Sequence, residues 1–378
     1  MPWKESSQMS SRLEFVLLAR QDGANIRALC RQFNVAPATA YKWLSRFEVL
    51  GESGLADLSR RPHTSPARSS PKLEAKVLAL NAAHPYWGSR KLQALLPPRV
   101  GTPHHSTIDA ILHRHGQFVE HPPGESKAAN LRFEHECPND LWQMDFKGHF
   151  ALTGGESIRC HPLTILDDHS RYSLCLLACP HERFLSVQAA LIATFRHYGM
   201  PNRMTYDNGP PWGTSGNGSL SRLDAWLIRL GISPSHSRPY HPQTQGKDER
   251  FHRTLKHELI SRRGFSSIRT CQDAFDKWRE TYNLVRPHQA LGQMPPVSRY
   301  RSSHRVYPEV LPPVDYPEGS IIRRVRGNAT ISWKGTQQLI GEGLIGQDIE
   351  IRPAQTDGIF ALYYCHRLIG SLDIRKTE

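Results

Sequence analysis

Apolar positions change their period along this chain, and each change predicts a new kind of structure. From residue 10 to residue 50 they recur at helical spacing. Ile26, Leu29 and Phe33 share one face, with Cys30 read as a core residue beside them. Asn34 suits the left-handed backbone of a tight turn, and Pro37 suits the first turn of a following helix. In that following helix Ala40, Trp43, Leu44 and Phe47 are left for packing, while Thr39, Tyr41, Lys42, Ser45 and Arg46 face outward. Two helices joined in this way, the second with a polar and basic face, predict a helix-turn-helix. Gly51 to Pro71 then loses all apolar period and is rich in Gly, Pro, Ser and Arg. A second helical stretch follows over residues 71–116, with stripes at Leu73, Val77 and Leu80 and at Leu92, Leu95 and Leu96. Ser106 is the expected cap of its last helix, Thr107 to His115.

Beyond a polar linker the pattern becomes one of short apolar runs. Leu141–Leu152, Arg159–Leu166 and Tyr172–Ala178 predict three strands, and Phe184–Tyr198 an amphipathic helix. Arg203–Asp207 and Ile232–His236 predict two more strands, separated by a helix over Ser219–Leu230. Pro239 and Pro242 keep the next stretch a loop, and after Gly246 a helix begins with Phe251 and Leu255 on one face. Arg269–Val285 predicts a last helix, with Phe275, Trp278 and Tyr282 toward the interior. From residue 320 apolar and polar residues alternate between recurring glycines, which predicts a small barrel of short antiparallel strands. The expected organisation is therefore residues 1–58 helix-turn-helix, 59–70 linker, 71–118 a second such unit, 119–134 linker, 135–300 an α/β core with a helical extension, 301–319 linker and 320–378 barrel.

Composition narrows the partners. Across 378 residues, 48 Lys and Arg face 35 acids, a formal charge of +13. A basic excess of this size favours a polyanion, of which nucleic acid is the commonest. Arg60 and Arg61 in the first linker are placed to follow a DNA backbone. No apolar run reaches the roughly 18 residues of a membrane span, and MPWKESSQMSSR does not read as an export signal. Seven scattered cysteines fit free thiols in a reducing compartment. His84, His104, His105, His113, His115 and His121 gather in the second helical stretch without a CxxC partner, so no zinc is expected.

Three acids stand in unusual surroundings. Asp145 interrupts the apolar strand LWQMDF, and Asp207 ends a strand just before the turn Asn208-Gly209-Pro210. Glu249 lies in the first turn of a helix that also carries Arg250, Arg253 and Lys256. The segments WQMDF, DDHSRY, YGMPNRMTYDNG and HPQTQGKDERFHRTLKHE, in this order, resemble the catalytic core of DDE integrases and bacterial insertion-sequence transposases. The resemblance covers about residues 135–300. It implies a ribonuclease-H-like core with a mixed sheet, and Asp145, Asp207 and Glu249 as a catalytic triad binding Mg²⁺, with Mn²⁺ able to substitute. Hard oxygen donors suit such ions, and two ions can serve both ends of an in-line displacement.

The same resemblance implies binding of terminal inverted repeats, 3′-end cleavage and strand transfer into target DNA. The partners implied are double-stranded DNA and a second copy of the chain, in a dimer or higher multimer, with a cytoplasmic, nucleoid-associated location. Gln245, Lys247, Arg253 and Lys256 join Thr39, Tyr41, Lys42, Arg46, Arg60 and Arg61 as expected DNA contacts. Asp248 adjoins Glu249 but points about 100° away on the helix, at a position usually apolar in the family. Asp167 and Asp168 are read as structural. Two other readings remain at this point: a metal-dependent nuclease on the same core, and a DNA-binding regulator with a relic catalytic domain.

Overall fold

The computed structural model describes residues 8–58, 68–97, 102–117, 134–153, 158–209, 211–212, 220–236 and 246–376. The chain divides at Arg68/Ser69 into two compact units. The first holds helices α1 (Gln8–Ala19), α2 (Ile26–Gln32) and α3 (Pro37–Leu50). Asn25 caps α2 by accepting from the Ala28 N–H, and Pro37 opens α3. Asn34 between them has φ +51°, the left-handed turn that its side chain favours. Phe15, Val16, Cys30, Ala40 and Trp43 form the core. The Trp43 indole is ringed by cations, with Arg12, Lys42 and Arg46 lying 4.0, 4.9 and 5.1 Å from its centre.

The second unit begins with α4 (Pro71–Ala83), α5 (Ser89–Leu95) and α6 (His105–Arg114), packed around Val77, Leu92, Ile108 and Ile111. His104, not Ser106, caps α6: its Nδ1 accepts from the Ser106 N–H, and the helix starts two residues earlier than expected. Strands β1 (Leu141–Phe146), β2 (Phe150–Ala151), β3 (Arg159–Asp167) and β4 (Ser173–Cys179) follow. The single strand expected from Leu141 to Leu152 is broken because Gly148 turns into positive φ, +80°. Next come α7 (Phe184–Tyr198), β5 (Arg203–Tyr206), α8 (Arg222–Arg229), β6 (Ser233–His236), α9 (Gly246–Glu258) and α10 (Ile268–Leu284).

The sheet runs β2-β3-β1-β5-β6, with β4 on β3. β3 is antiparallel to β1 and β4, whereas β5 is parallel to β1 and β6 to β5. Each face of this mixed sheet is covered by helices. Met144, Leu163 and Met204 meet Phe195 of α7 and Leu227 of α8 in one core. Leu166 and Leu176 meet Phe251 and Leu255 of α9 and Phe275 of α10 in the other.

The segment after α10 does not hang free. Tyr300 stacks on Tyr172 at 4.3 Å. Arg305 donates to the carbonyls of Pro201, Leu230 (3.0 Å) and Gly231 (2.8 Å), and Arg229 donates back to Pro312. The chain then forms β7 (Ile321–Arg324), β8 (Thr330–Trp333), β9 (Thr336–Leu339), β10 (Asp348–Pro353), β11 (Ile359–Tyr364) and β12 (Arg367–Asp373). These pair as a four-stranded sheet, β12-β11-β10-β7, and a separate β8-β9 hairpin. The closed barrel expected from the sequence is therefore not formed among the described residues. The apolar face that closure would bury is covered instead by α8, whose Ala225 and Ile228 join Ile349, Leu362 and Tyr364 in one core. Gly343 makes this fit possible, since a Cβ there would meet the Leu220 carbonyl at 2.2 Å.

Candidate active site

Asp145 and Asp207 are brought together by strand pairing. Gln143 of β1 is paired in parallel with Thr205 of β5, so continuing the register two residues sets Asp145 beside Asp207 at the same strand ends. Glu249 arrives from the first turn of α9, which packs across the sheet through Phe251 and Leu255. The electrostatics report the convergence. Burial pushes the Asp145 carboxyl up to about 7, assisted by the charges of Asp207, Glu182 and Glu249. Among the described residues no three acid, imidazole or thiol groups are yet gathered closely enough to hold a metal ion. The donor set nonetheless fits a hard divalent cation, since it is made of carboxylates whose mutual repulsion such a cation would neutralise.

Each acid is held differently. The Asp207 Oδ1 accepts from the Gly209 N–H at 3.1 Å and from the Trp212 indole N–H, so the turn after β5 orients the carboxylate. A side chain at Gly209 would come within 3.3 Å of Asp207 Oδ2. Behind the same residue, His236 of β6 bridges the Asp207 carbonyl and the buried Asp224, at 3.1 Å each. The Asp224 carboxylate raises the His236 pKa, so the ring favours the charged form that donates to both. Asp145 has a closer neighbour in His252 of α9, whose Nδ1 lies 3.8 Å from Asp145 Oδ2.

The acids next door behave otherwise. Asp167 accepts from the Asn139 N–H, the Ser170 N–H and the Ser170 hydroxyl. Asp168 accepts from the His135 N–H, the Gln143 amide and the Lys247 ammonium. Lys247, expected at DNA, thus ties the start of α9 to the end of β3. Asp248 is fully buried, and neither of its oxygens has a hydrogen-bond partner among the described residues. Burial, with Asp145 and Asp168 nearby, raises its pKa well above the usual carboxylate range, which favours the neutral acid.

The expected DNA contacts fall in three groups. Tyr41 and Lys42 are exposed on α3, and Thr39 and Arg46 half-buried. Arg253 and Lys256 are exposed on α9. Arg60, Arg61 and Gln245, with the loop carrying His241, lie outside the described residues. Trp212, Thr164 and His252 were not singled out by sequence reasoning. Each sits in an ordinary-looking setting: strand register sets Thr164 opposite Asp145, the turn at Gly209 folds Trp212 onto Asp207, and the packing of α9 brings His252 to Asp145.

Comparison with known proteins matches the main parts of the chain in turn. Residues 135–242 and 230–296 match two models of the integrase core domain. Residues 11–63 match a helix-turn-helix domain and 39–112 a homeodomain-like domain. Residues 320–378 match the C-terminal domain of IS481 family transposases. A 39.2 kDa protein of insertion element IS476 from Xanthomonas euvesicatoria is 28% identical over 263 residues, covering 66% of this chain and 71% of its own length. A 31.7 kDa protein of IS407 from Burkholderia multivorans is 25% identical over 246 residues, covering 64% of this chain and 84% of its own. A putative transposase of IS5376 from Geobacillus stearothermophilus is 24% identical over 262 residues, covering 66% and 62%.

Helix-turn-helix elements ahead of an integrase core define a DNA-binding polynucleotidyl transferase. The chain is a DDE transposase of the bacterial insertion-sequence kind, with an integrase-like catalytic core.

Proposed function

We propose that Asp145, Asp207 and Glu249 are the catalytic acids, that they hold Mg²⁺ with Mn²⁺ as a substitute, and that the enzyme exposes a 3′-hydroxyl at each transposon end and joins it to target DNA. The observation that carries this reading is the position of Asp145 and Asp207 at neighbouring ends of two parallel strands, with both Asp207 and Glu249 close enough to act on the Asp145 charge. Divalent ions held there would activate an oxygen nucleophile and stabilise the leaving oxygen. The protein's own part is placement. Trp212 and Gly209 orient Asp207, His236 and Asp224 hold its backbone, and the Lys247–Asp168 pair sets the start of the helix that carries Glu249.

On this reading the outward face of α3 and the second helical unit bind the terminal inverted repeats, with Lys42 and Arg46 foremost. Arg60 and Arg61 follow the backbone between the units, and Gln245, Arg253 and Lys256 approach the DNA end at the active site. Two ends must be held at once, so the working form is a dimer or higher multimer on DNA in the cytoplasm. No helix among the described residues is long and apolar enough to cross a membrane. An assay with pre-cut ends and target DNA tests the reading. Joining is expected with Mg²⁺, cleavage without joining would make the protein a nuclease, and binding alone would make it a regulator.

A further inference from the structure

His252 lies three residues beyond Glu249 on α9, and its hydrogen bonds fix where its protons are. Thr164 of β3 donates its one hydroxyl hydrogen to the Asp145 carbonyl oxygen at 2.9 Å, because a carbonyl can only accept. The same Thr164 oxygen lies 2.9 Å from His252 Nε2. With its hydrogen already used, Thr164 must accept there, so Nε2 carries the ring proton. The other nitrogen, Nδ1, then presents a lone pair, and it lies 3.8 Å from Asp145 Oδ2. That separation is too long for a direct hydrogen bond. It matches an oxygen seated between the two groups at about 2.8 Å from each. The ring is nearly buried, so these contacts hold it in place.

We infer that His252 is a further active-site residue: its Nδ1 accepts a hydrogen bond from the attacking oxygen, water in cleavage and the 3′-hydroxyl in joining, and so orients that oxygen against Asp145. The inference rests on the triad proposed above. The ring has two jobs on opposite edges. Nε2–H links α9, through Thr164, to the backbone of Asp145, and Nδ1 aims the nucleophile. The ring takes up no proton in this role: the hydrogen bond sets direction, the proton that the attacking oxygen loses as the O–P bond forms goes to the Asp145 carboxylate beside it, and the leaving 3′ oxygen takes one from solvent.

Two amides separate the jobs, because the Asn oxygen replaces Nδ1 and the Gln nitrogen replaces Nε2. His252→Asn should keep joining within about fivefold of wild type. His252→Gln should lose about 10²-fold in kcat with KM for the DNA ends unchanged, the size expected for one hydrogen bond at the reacting oxygen. Thr164→Val, which removes the link and leaves the ring, should keep joining within about tenfold. A separate readout needs no turnover: in the ¹⁵N spectrum of histidine-labelled protein, the His252 signals should show Nδ1 unprotonated and Nε2 protonated.

Gln behaving as wild type while Asn is inactive would assign His252 to the Thr164 link alone and overturn the inference. So would wild-type joining by both variants, or a Thr164→Val loss equal to that of His252→Gln, or a protonated Nδ1. Asp145→Asn and Glu249→Gln run beside them. If those two still join DNA, it is the triad that fails. If they are inactive and the histidine variants give one of the overturning patterns, only the role of His252 fails.

Discussion

Asp145 and Asp167 share one ladder of this sheet, and the groups of acids around them have opposite surroundings. Trp142 of β1 pairs with Asp167 of β3, and three residues further on Asp145 pairs with Thr164. At the first position Asp167 and Asp168 are fully buried, and each accepts three hydrogen bonds. At the second, Asp145 is held by the backbone N–H of Phe146 and otherwise faces Asp207, Glu182 and Glu249. Burial alone therefore does not distinguish a structural acid from a chemical one. The donors around it do: Asp167 and Asp168 each have three, whereas Asp145 has one backbone donor and faces other carboxylates, as the metal role proposed above requires.

The largest expected effect comes from the second group. Asp145→Asn, Asp207→Asn and Glu249→Gln should each lower joining by about 10³-fold or more, several kcal/mol of lost stabilisation of the transferring phosphate. Circular dichroism and end binding should remain as in wild type; a variant that unfolds would place that acid with the structural group. Asp168→Asn should do the reverse. It removes the carboxylate charge against the half-buried Lys247 ammonium and should cost about 2–4 kcal/mol in urea unfolding. An unchanged unfolding midpoint would remove the distinction drawn here.

Asp248 belongs to neither group, since it is buried with no hydrogen-bond partner among the described residues. Asp248→Leu keeps the branched shape, with larger methyl groups in place of the oxygens, and removes an unsatisfied acid, so thermal unfolding should show a net gain of about 1–3 kcal/mol. A loss of stability would mean that the acid has a partner after all. Asp145 should also give a pH slope without metal. The folded Asp145 pKa of about 7 exceeds its unfolded value of 3.8, so its contribution is fully present below about 4 and is lost as pH rises through 7. Wild type should therefore gain less stability than Asp145→Asn between pH 4 and 7. Parallel melting curves for the two would count against the crowding of acids at this site.

Much of this was legible in the chain. The helical period around Trp43 and the turn at Asn34 follow from local stereochemistry, and α7 was read to its boundaries, Phe184–Tyr198. The three acids stood out because each interrupts or ends an element of known period. What sequence could not supply depends on register. Thr164 is an unremarkable strand threonine until pairing sets it opposite Asp145. Trp212 reads as packing until the turn at Gly209 folds it back on Asp207. Lys247 reads as a DNA contact until Asp168, 79 residues earlier, is found against it. The barrel expected from residue 320 failed for the same reason, since alternation predicts a buried face but not that α8 covers it.

The hold of Arg305 on the carbonyls of Leu230 and Gly231 has a consequence for synthesis. The bond to Leu230 spans 75 residues of chain. At a translation rate of about 5–20 residues per second, the ribosome needs roughly 4–15 s to supply the guanidinium after the carbonyl has emerged. During that interval the turn after α8 and the strand it feeds, β6, which braces Asp207 through His236, lack their final fastening. A nascent transposase therefore completes its catalytic half late, after nearly the whole chain has been made. A message cut short before residue 305 would yield a protein that retains its helix-turn-helix units without that fastening and, on the function proposed above, would compete for the transposon ends.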